Sequence, residues 1–438
     1  MNTEENMGKK KNPIREIFDF KKEELPIALL MFSFFFLIIT VFQILRPLST
    51  GYVVDIYGAK PELYMRLGNI VVAALAVIVF TFLYNKLSRQ RLIFVFCLFF
   101  AVSFIALRFL LIKPNVVAAW WYYIQVNLIT TIWIATFWAY LTDISTSDQA
   151  KRLYGFIGFG GVSGGVLGAL LAKFLLPILG QSGLLILSAV LIMIVGFITF
   201  GVEKLLCRSK AFGHAVQESQ VKKEPEKKAS KFDVAIEGAK LAFRSKYLVA
   251  IVGVMAFYEI GSQVLNYMFK KTSEVLPGVT ATQSFFIDVS LIANIISMIV
   301  QLFLVSLIMR KLGLAFALCV LPVIAILSSF LFMGIPTSLV AASLLLISDN
   351  GFNYSIQQTS RETLYVPTTP DEKYKARAFT NMFVQRVGKG IGIVGILVLT
   401  SIGVSVRMLG FFGIAALVGM ALLGIYSGRR FKEMTSKE

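Results

Sequence analysis

Apolar runs of about the length of a membrane-crossing helix, separated by short charge-dense stretches, recur from Pro26 almost to the end of the chain. A hydrocarbon core about 30 Å thick takes roughly 20 apolar residues per helix. The runs predict helices near 27–46, 66–86, 92–112, 116–141, 154–178 and 183–202, then near 246–269, 284–309, 313–334, 338–361, 378–401 and 407–427. The expected fold class is therefore an all-α membrane protein of about twelve transmembrane helices. The first run has basic residues before it but no small-residue cleavage site after it, so it reads as a retained helix.

The only long polar interruption, around residues 207–231, divides the helices into two sets of six. The predicted organisation is an N-terminal segment 1–25, a six-helix half 26–202, a basic linker 203–245, a second half 246–427 and a tail 428–438. After the linker, Phe232, Ile236, Ala239 and Phe243 share one helical face, and Ile14, Ile17 and Phe18 do likewise before the first span, as in helices lying in the membrane interface. The halves echo each other. Each carries a basic turn between its second and third spans (Asn85–Arg91, Arg310–Lys311) and a polar loop followed by a glycine-rich fifth span. A six-helix unit repeated in parallel with a cytoplasmic linker is the plan of the major facilitator fold.

Charge then orients the chain. Lys and Arg collect in alternate loops, among them Lys86, Arg89, Arg91, Lys151, Arg152, Lys373, Lys375 and Arg377 and the whole linker, while the opposite loops keep only a few, such as Lys60, Lys113, Lys270, Lys271 and Arg407. Because cytoplasmic loops hold the basic excess, both termini are expected in the cytoplasm. The same rule explains most of the net charge of +18 without nucleic acid. Apolar residues make up 57% and charged residues 16%, against about 25% charge in a soluble domain. Cys97 and Cys319 fall in apolar runs, Cys207 and His214 in the linker. That leaves no zinc spacing or disulfide framework, and no nucleophile–base pair for an enzyme.

Ionisable side chains inside a span cost several kcal/mol unless paired or hydrated, so each is a functional candidate. Counting helical rise puts Glu259, Asp349 and Lys389 near the midplane and Arg386 one turn toward the cytoplasm. Arg46, Arg108 and Lys173 lie nearer the outer side. On a purely structural reading, Lys389 or Arg386 pairs with Glu259 or Asp349, and the outer three cations snorkel to headgroups. On a functional reading, an excess of positive charge suits an anionic solute such as a phosphate ester, with Gln125, Asn127, Asn350 and Asn353 adding hydrogen bonds. Two cytoplasmic segments, one with Lys151, Arg152 and Tyr154 and one with Arg361, Glu362 and Tyr365, are candidates for charge-paired gating. The run Gly155–Gly168 lacks the strand a dinucleotide fingerprint needs. Its spacing of four (Gly160, Gly164, Gly168) predicts close helix contact instead, and Gly388, Gly390, Gly392 and Gly395 are read the same way.

Taken in order, Leu45-Arg46, Gly58-Ala59, Phe137-Trp138, Ala150-Lys151-Arg152-Leu153-Tyr154, Glu362 with Tyr365 and Pro367, and Gly388-Lys389 resemble the motifs of the plastid and bacterial ATP/ADP translocases. The resemblance runs over nearly the full chain, and the segment from Glu362 to Lys389 is its most specific part. Where that family places Lys-Asp after the first-helix arginine, this chain reads Pro47-Leu48-Ser49-Thr50. The family's seventh-helix glutamate has Glu259 as its nearest counterpart, and its eleventh-helix lysine is Lys389. The resemblance implies a divergent relative with the family's fold in a bacterial inner membrane.

The expected function is a secondary carrier working by alternating access. Its solute would be a nucleotide or another phosphorylated anion, with Lys389 attracting it, Arg386 and Arg46 assisting, and Glu259 or Asp349 balancing the lysine. No P-loop spacing for ATP hydrolysis accompanies Gly388-Lys389, so a gradient or exchange is expected to drive transport, with the bilayer as partner and neither cofactor nor metal. The competing expectations are a proton-coupled carrier of another small organic solute using Asp349 or Glu259, and a non-transporting protein on a carrier fold.

Overall fold

The computed structural model describes residues 24–145, 147–208, 231–369 and 372–436. The amphipathic stretch near Ile14, residues 209–230 with His214, and Asp371 lie outside them. Among the described residues every regular element is a helix. The helices are α1 (Leu25–Tyr57), α2 (Ala59–Lys86), α3 (Arg89–Leu110), α4 (Val116–Leu128), α5 (Ile134–Ile144), α6 (Ser147–Arg208), α7 (Lys231–Arg244), α8 (Lys246–Ser273), α9 (Val279–Ile299), α10 (Val305–Lys311), α11 (Leu314–Gly334), α12 (Leu339–Phe352), α13 (Gln358–Thr363), α14 (Arg377–Phe379), α15 (Gln385–Ser401) and α16 (Val406–Thr435). Single π-helical turns join α4 to α5, α9 to α10, α12 to α13 and α14 to α15.

Nine of the described helical stretches are long and apolar enough to cross a membrane. One of them, Leu153–Leu206, is 54 residues long, about 80 Å at 1.5 Å per residue and so enough for two passes. It is broken at Gly180, whose φ of 63° leaves the helical region, three residues after Pro177. The fifth and sixth spans are thus one bent element. The tenth and eleventh are interrupted by π turns at Asn353–Gln357 and Thr380–Val384, and counting them gives the twelve crossings that the apolar runs predict. The chain is a multi-pass membrane protein.

Helix ends follow local chemistry. The hydroxyls of Ser245, Ser338 and Ser405 accept from the amides of Tyr247, Ala341 and Met408, capping α8, α12 and α16 with the residue type preferred there. Gly58, with φ of 92°, separates α1 from α2 in a conformation that disfavours a side chain. Helix α2 starts at Ala59 rather than near residue 66, because Pro61 fits a first helical turn and Glu62 is buried; both fall before the apolar run that the sequence displays.

Packing divides the chain into two compact units. The first holds the described residues of Met1–Arg46, Leu75–Lys113 and Gln125–Glu226. Its core is aromatic: Phe34 meets Phe137 edge-on at 5.2 Å between ring centres, and Trp133 lies 6.0 Å from Phe100. The glycine stripe of α6 lies directly on α1, where a β-carbon at Gly160, Gly164 or Gly168 would strike the carbonyl oxygens of Phe32, Phe36 and Thr40. The Thr40 hydroxyl donates to the Gly164 carbonyl at 3.2 Å. The glycines do pack helix on helix, as their spacing predicts.

The second unit holds Pro47–Ala74, Pro114–Ile124 and the described residues of Lys227–Glu438. Compactness therefore groups the chain differently from the division into 26–202 and 246–427. The reason lies in polar contacts inside this unit: Gln283 donates to the Leu48 carbonyl at 2.9 Å, Thr282 to Asp55 at 3.1 Å, and the Ala59 amide to Glu274 at 2.7 Å. Helix α7 joins the apolar core through Ala242, which is fully buried, with Ala239 and Leu241 packed against that core. Phe243 at its end is exposed and its Gly238 abuts the Lys375 carbonyl.

Candidate functional site

Within the second unit, α8 and α15 pack closely because glycines clear the way. A β-carbon at Gly388 would meet Glu259 at 3.1 Å, and one at Gly392 would meet Gln263 at the same distance. Between those two glycines Lys389 leaves α15 beside Glu259, with Nζ 3.9 Å from Oε2. The carboxylate side chain is 3% exposed and that of the lysine 41%. Arg386, one turn earlier on α15, is half-buried and makes no ion pair with a described residue.

Asp349 on α12 is buried but is tied elsewhere: its Oδ2 accepts from the Ser262 hydroxyl at 2.6 Å and the Asn266 amide at 3.0 Å, both on α8. Arg361 on α13 lies over the Tyr258 ring at 5.1 Å and donates to Asn353 Oδ1 at 3.2 Å, with Met255 Sδ 2.9 Å from its other terminal nitrogen. Glu362 pairs with Arg377 at 2.8 Å rather than with Arg361, and Tyr365 is buried beside them. One open cavity of about 270 Å³ is bordered by Asn353, Gln358, Arg361, Tyr365, Asn381 and Gln385.

The remaining candidates lie in the first unit. Arg46 sits over the Phe42 ring at 5.5 Å. Asn127 is half-buried and its carbonyl accepts from Thr130. Tyr154 meets Trp138 edge-on at 5.5 Å. Lys151 and Arg152 belong to the first turns of α6, and their side chains lie outside the described residues.

A second charged cluster escapes a reading of the sequence. Glu62 Oε1 accepts from Tyr123 Oη at 2.6 Å, from Lys270 Nζ at 2.8 Å and from Arg66 Nε at 2.8 Å. Arg66 also donates to Gln263 Oε1 at 2.5 Å. The Glu62 side chain is fully buried and that of Lys270 is 8% exposed. The sequence places Lys270 in an outer loop because the apolar run ends before it, whereas α8 continues to Ser273. The one local signal was the Glu62–Arg66 spacing of four, which puts opposite charges on one helix face. Among the described residues no three His, Cys, Asp or Glu side chains gather closely enough to hold a metal ion.

A bundle of twelve crossings with a half-exposed lysine against a buried carboxylate belongs to the class of membrane carriers, and solved structures share its fold. A peptide transporter of the POT class aligns over 94% of this chain and 95% of its own with a TM-score of 0.63 at 15% identity. The nucleoside transporter NupG aligns over 93% and 99% with 0.60 at 13%, and the inward-open xylose transporter XylE of E. coli over 90% and 95% with 0.58 at 12%. At those identities the likeness is one of fold. The pattern of the TLC ATP/ADP transporter family matches residues 115–426, and the chain belongs to that family. Relatives include the ADP,ATP carrier protein 5 of Rickettsia prowazekii, 23% identical over 431 residues, covering 83% of this chain and 84% of that one. Its namesake in Rickettsia felis is 22% identical over 379 residues, covering 72% and 75%. The chain is thus a divergent member of the family that its motifs resemble.

Proposed function

We propose that this protein exchanges adenine nucleotides, ATP against ADP, across a bacterial inner membrane with both termini in the cytoplasm, and that Lys389 is the side chain the nucleotide's phosphates meet. The observation that carries this reading is the asymmetry of the Lys389–Glu259 pair. A fully exposed lysine would gain little from one anion in water, and a fully buried pair would have no donor left to offer. Here the carboxylate is enclosed, the lysine side chain is half in the open, and 3.9 Å separates Nζ from Oε2, beyond hydrogen-bond length. An entering phosphate can take up the lysine's free donors while Glu259 compensates the charge when the site is empty, which is the balance an ion inside a membrane requires.

Transport then follows by alternating access, with the six-helix halves 26–202 and 246–427 as the moving bodies. Arg361 and the Glu362–Arg377 pair act at the cytoplasmic ends of α13 and α14, where breaking and remaking an exposed ion pair costs little. The decisive measurement is uptake of labelled ATP, ADP and phosphate into proteoliposomes loaded with counter-nucleotide, comparing wild type with Lys389→Ala and Lys389→Arg. Wild-type uptake that requires internal nucleotide and is lost in the Ala variant supports the reading. Ala-variant uptake equal to wild type sinks the role of Lys389, and no wild-type uptake of any anion above empty vesicles sinks the function.

A proton-coupled carrier is the second reading, favoured by Asp349, a buried carboxylate receiving hydrogen bonds from the neutral Ser262 and Asn266. Uptake that follows an imposed pH gradient without internal nucleotide would select it.

A further inference from the structure

The cavity beside Arg361 does not have the character of a phosphate site. Its wall carries four carboxamides, Asn353, Gln358, Asn381 and Gln385. Each offers a donor and an acceptor, whereas a phosphate only accepts and would be repelled by half of them. The one cation in the wall is partly committed: Arg361 donates one hydrogen bond to Asn353 and lies against the Tyr258 ring, with Met255 sulfur at its other terminal nitrogen. A carboxylate, Glu362, shares the same wall and is paired with Arg377. A polyphosphate has no reason to settle there.

A heterocyclic base does. The edge of a nucleobase alternates donors and acceptors, which side-chain amides read in pairs, and a guanidinium plane fixed on one side gives a flat face for stacking. The cavity volume of about 270 Å³ lies just below that of pockets that hold drug-sized molecules, roughly 300–1,000 Å³, enough for a base but not for a whole nucleoside triphosphate. Tyr365 borders the cavity as a buried part of its wall, 4% exposed. Two π turns, Asn353–Gln357 and Thr380–Val384, meet at this cavity, the kind of helix distortion that collects at functional sites.

The position is also right. Gln385 borders the cavity and Lys389 follows one turn later on α15, about 6 Å along the axis, a separation that a ribose bridges. We propose that this cavity seats the base of the transported nucleotide while Lys389 meets its phosphates, so that Asn381 and Gln358 set base selectivity and Lys389 does not. This rests on the nucleotide-exchange reading of the same site.

The test is competition against labelled ADP uptake in proteoliposomes by unlabelled ADP, GDP, CDP, UDP and pyrophosphate, for wild type and for Asn381→Ala combined with Gln358→Ala. Both side chains are exposed, so folding is not at issue. The expected result is that the variant narrows the spread among the four nucleotides by about fivefold or more, the scale of one or two lost hydrogen bonds, while pyrophosphate competes as in wild type. An unchanged ranking of bases in the variant overturns the proposal, as does a selective loss of pyrophosphate competition, which makes the cavity a phosphate site. Wild-type vesicles that take up no nucleotide overturn the exchange reading itself, and this subsite with it.

Discussion

Lys389 and Glu259 face each other where α15 crosses α8, with Nζ and Oε2 3.9 Å apart, the carboxylate enclosed and the lysine side chain 41% exposed. The carboxylate thus opposes the lysine's charge without capping its donors. Replacing Glu259 by Gln removes the opposing charge but keeps the shape. Anion affinity should then rise several-fold, seen as a lower half-saturation concentration, while the exchange rate falls because the empty site is left with an uncompensated cation. Steady-state uptake over a range of ADP concentrations checks both. A variant with unchanged half-saturation would show that Glu259 is not in electrostatic contact with the substrate site.

The Glu62 cluster makes a stability prediction. Taking one partner from a buried ion pair leaves an unmatched charge, at about 3–5 kcal/mol. Glu62→Gln strands both Arg66 and Lys270 against a neutral amide. Lys270→Met leaves Glu62 with Arg66 and Tyr123. Glu62→Gln is therefore expected to lower the unfolding midpoint in detergent more than Lys270→Met does. The reverse order would mean that Lys270, not Glu62, is the centre of the cluster.

Glycines on α6 should sort by what they touch. Gly164→Val thrusts a branched side chain into the Phe36 backbone, which has no rotamer to yield, and overpacking of this kind costs about 1–3 kcal/mol or more. Gly155→Ala and Gly158→Ala, with open space around them, are expected to be neutral or to stabilise slightly through helix propensity. Thermal unfolding of the three variants side by side is the measurement.

The docking of α7 should depend on pH. Glu237 accepts from Lys375 at 2.9 Å, and that hydrogen bond, with the lysine's charge, holds its carboxyl below the ordinary range. A carboxyl lowered in the folded state contributes stability above its unfolded value, about 4.3, and loses it as pH falls through that value to the folded one. Amide hydrogen exchange across residues 237–244 should therefore speed up, relative to the intrinsic rate, between pH 6 and about pH 3.5. Glu237→Gln should flatten that dependence. An unchanged profile in the variant would detach α7 docking from this pair.

Much of the fold was legible because a bilayer imposes length and hydropathy on every crossing, and those are visible residue by residue in runs such as 92–112. The glycine stripe was legible for a similar reason: a spacing of four is a local property that marks one helix face. The pairing of charges was not. Lys389 had two possible carboxylates at one depth, and only the side-by-side packing of α15 and α8 assigns it Glu259, while Asp349 turns to Ser262 and Asn266. Glu362 was a candidate for charge-paired gating, but its partner Arg377 comes from another element and no local spacing names it. Glu62 and Lys270 are 208 positions apart, and nothing local links them. The cavity beside Arg361 was invisible for the same reason, since its amides come from two separate stretches of chain, 353–358 and 381–385.

The contact of α6 on α1 sets limits on how this protein can work. Glycines at every fourth position, Gly160, Gly164 and Gly168, bring backbone against backbone, flanked by the stacked rings of Phe32 and Phe156. The two helices are welded into a stiff beam, and any working stroke must carry them together. Compliance is available further along α6, at Gly180, where the chain leaves the helical path and a β-carbon would meet open space. The beam ends and the joint begins there.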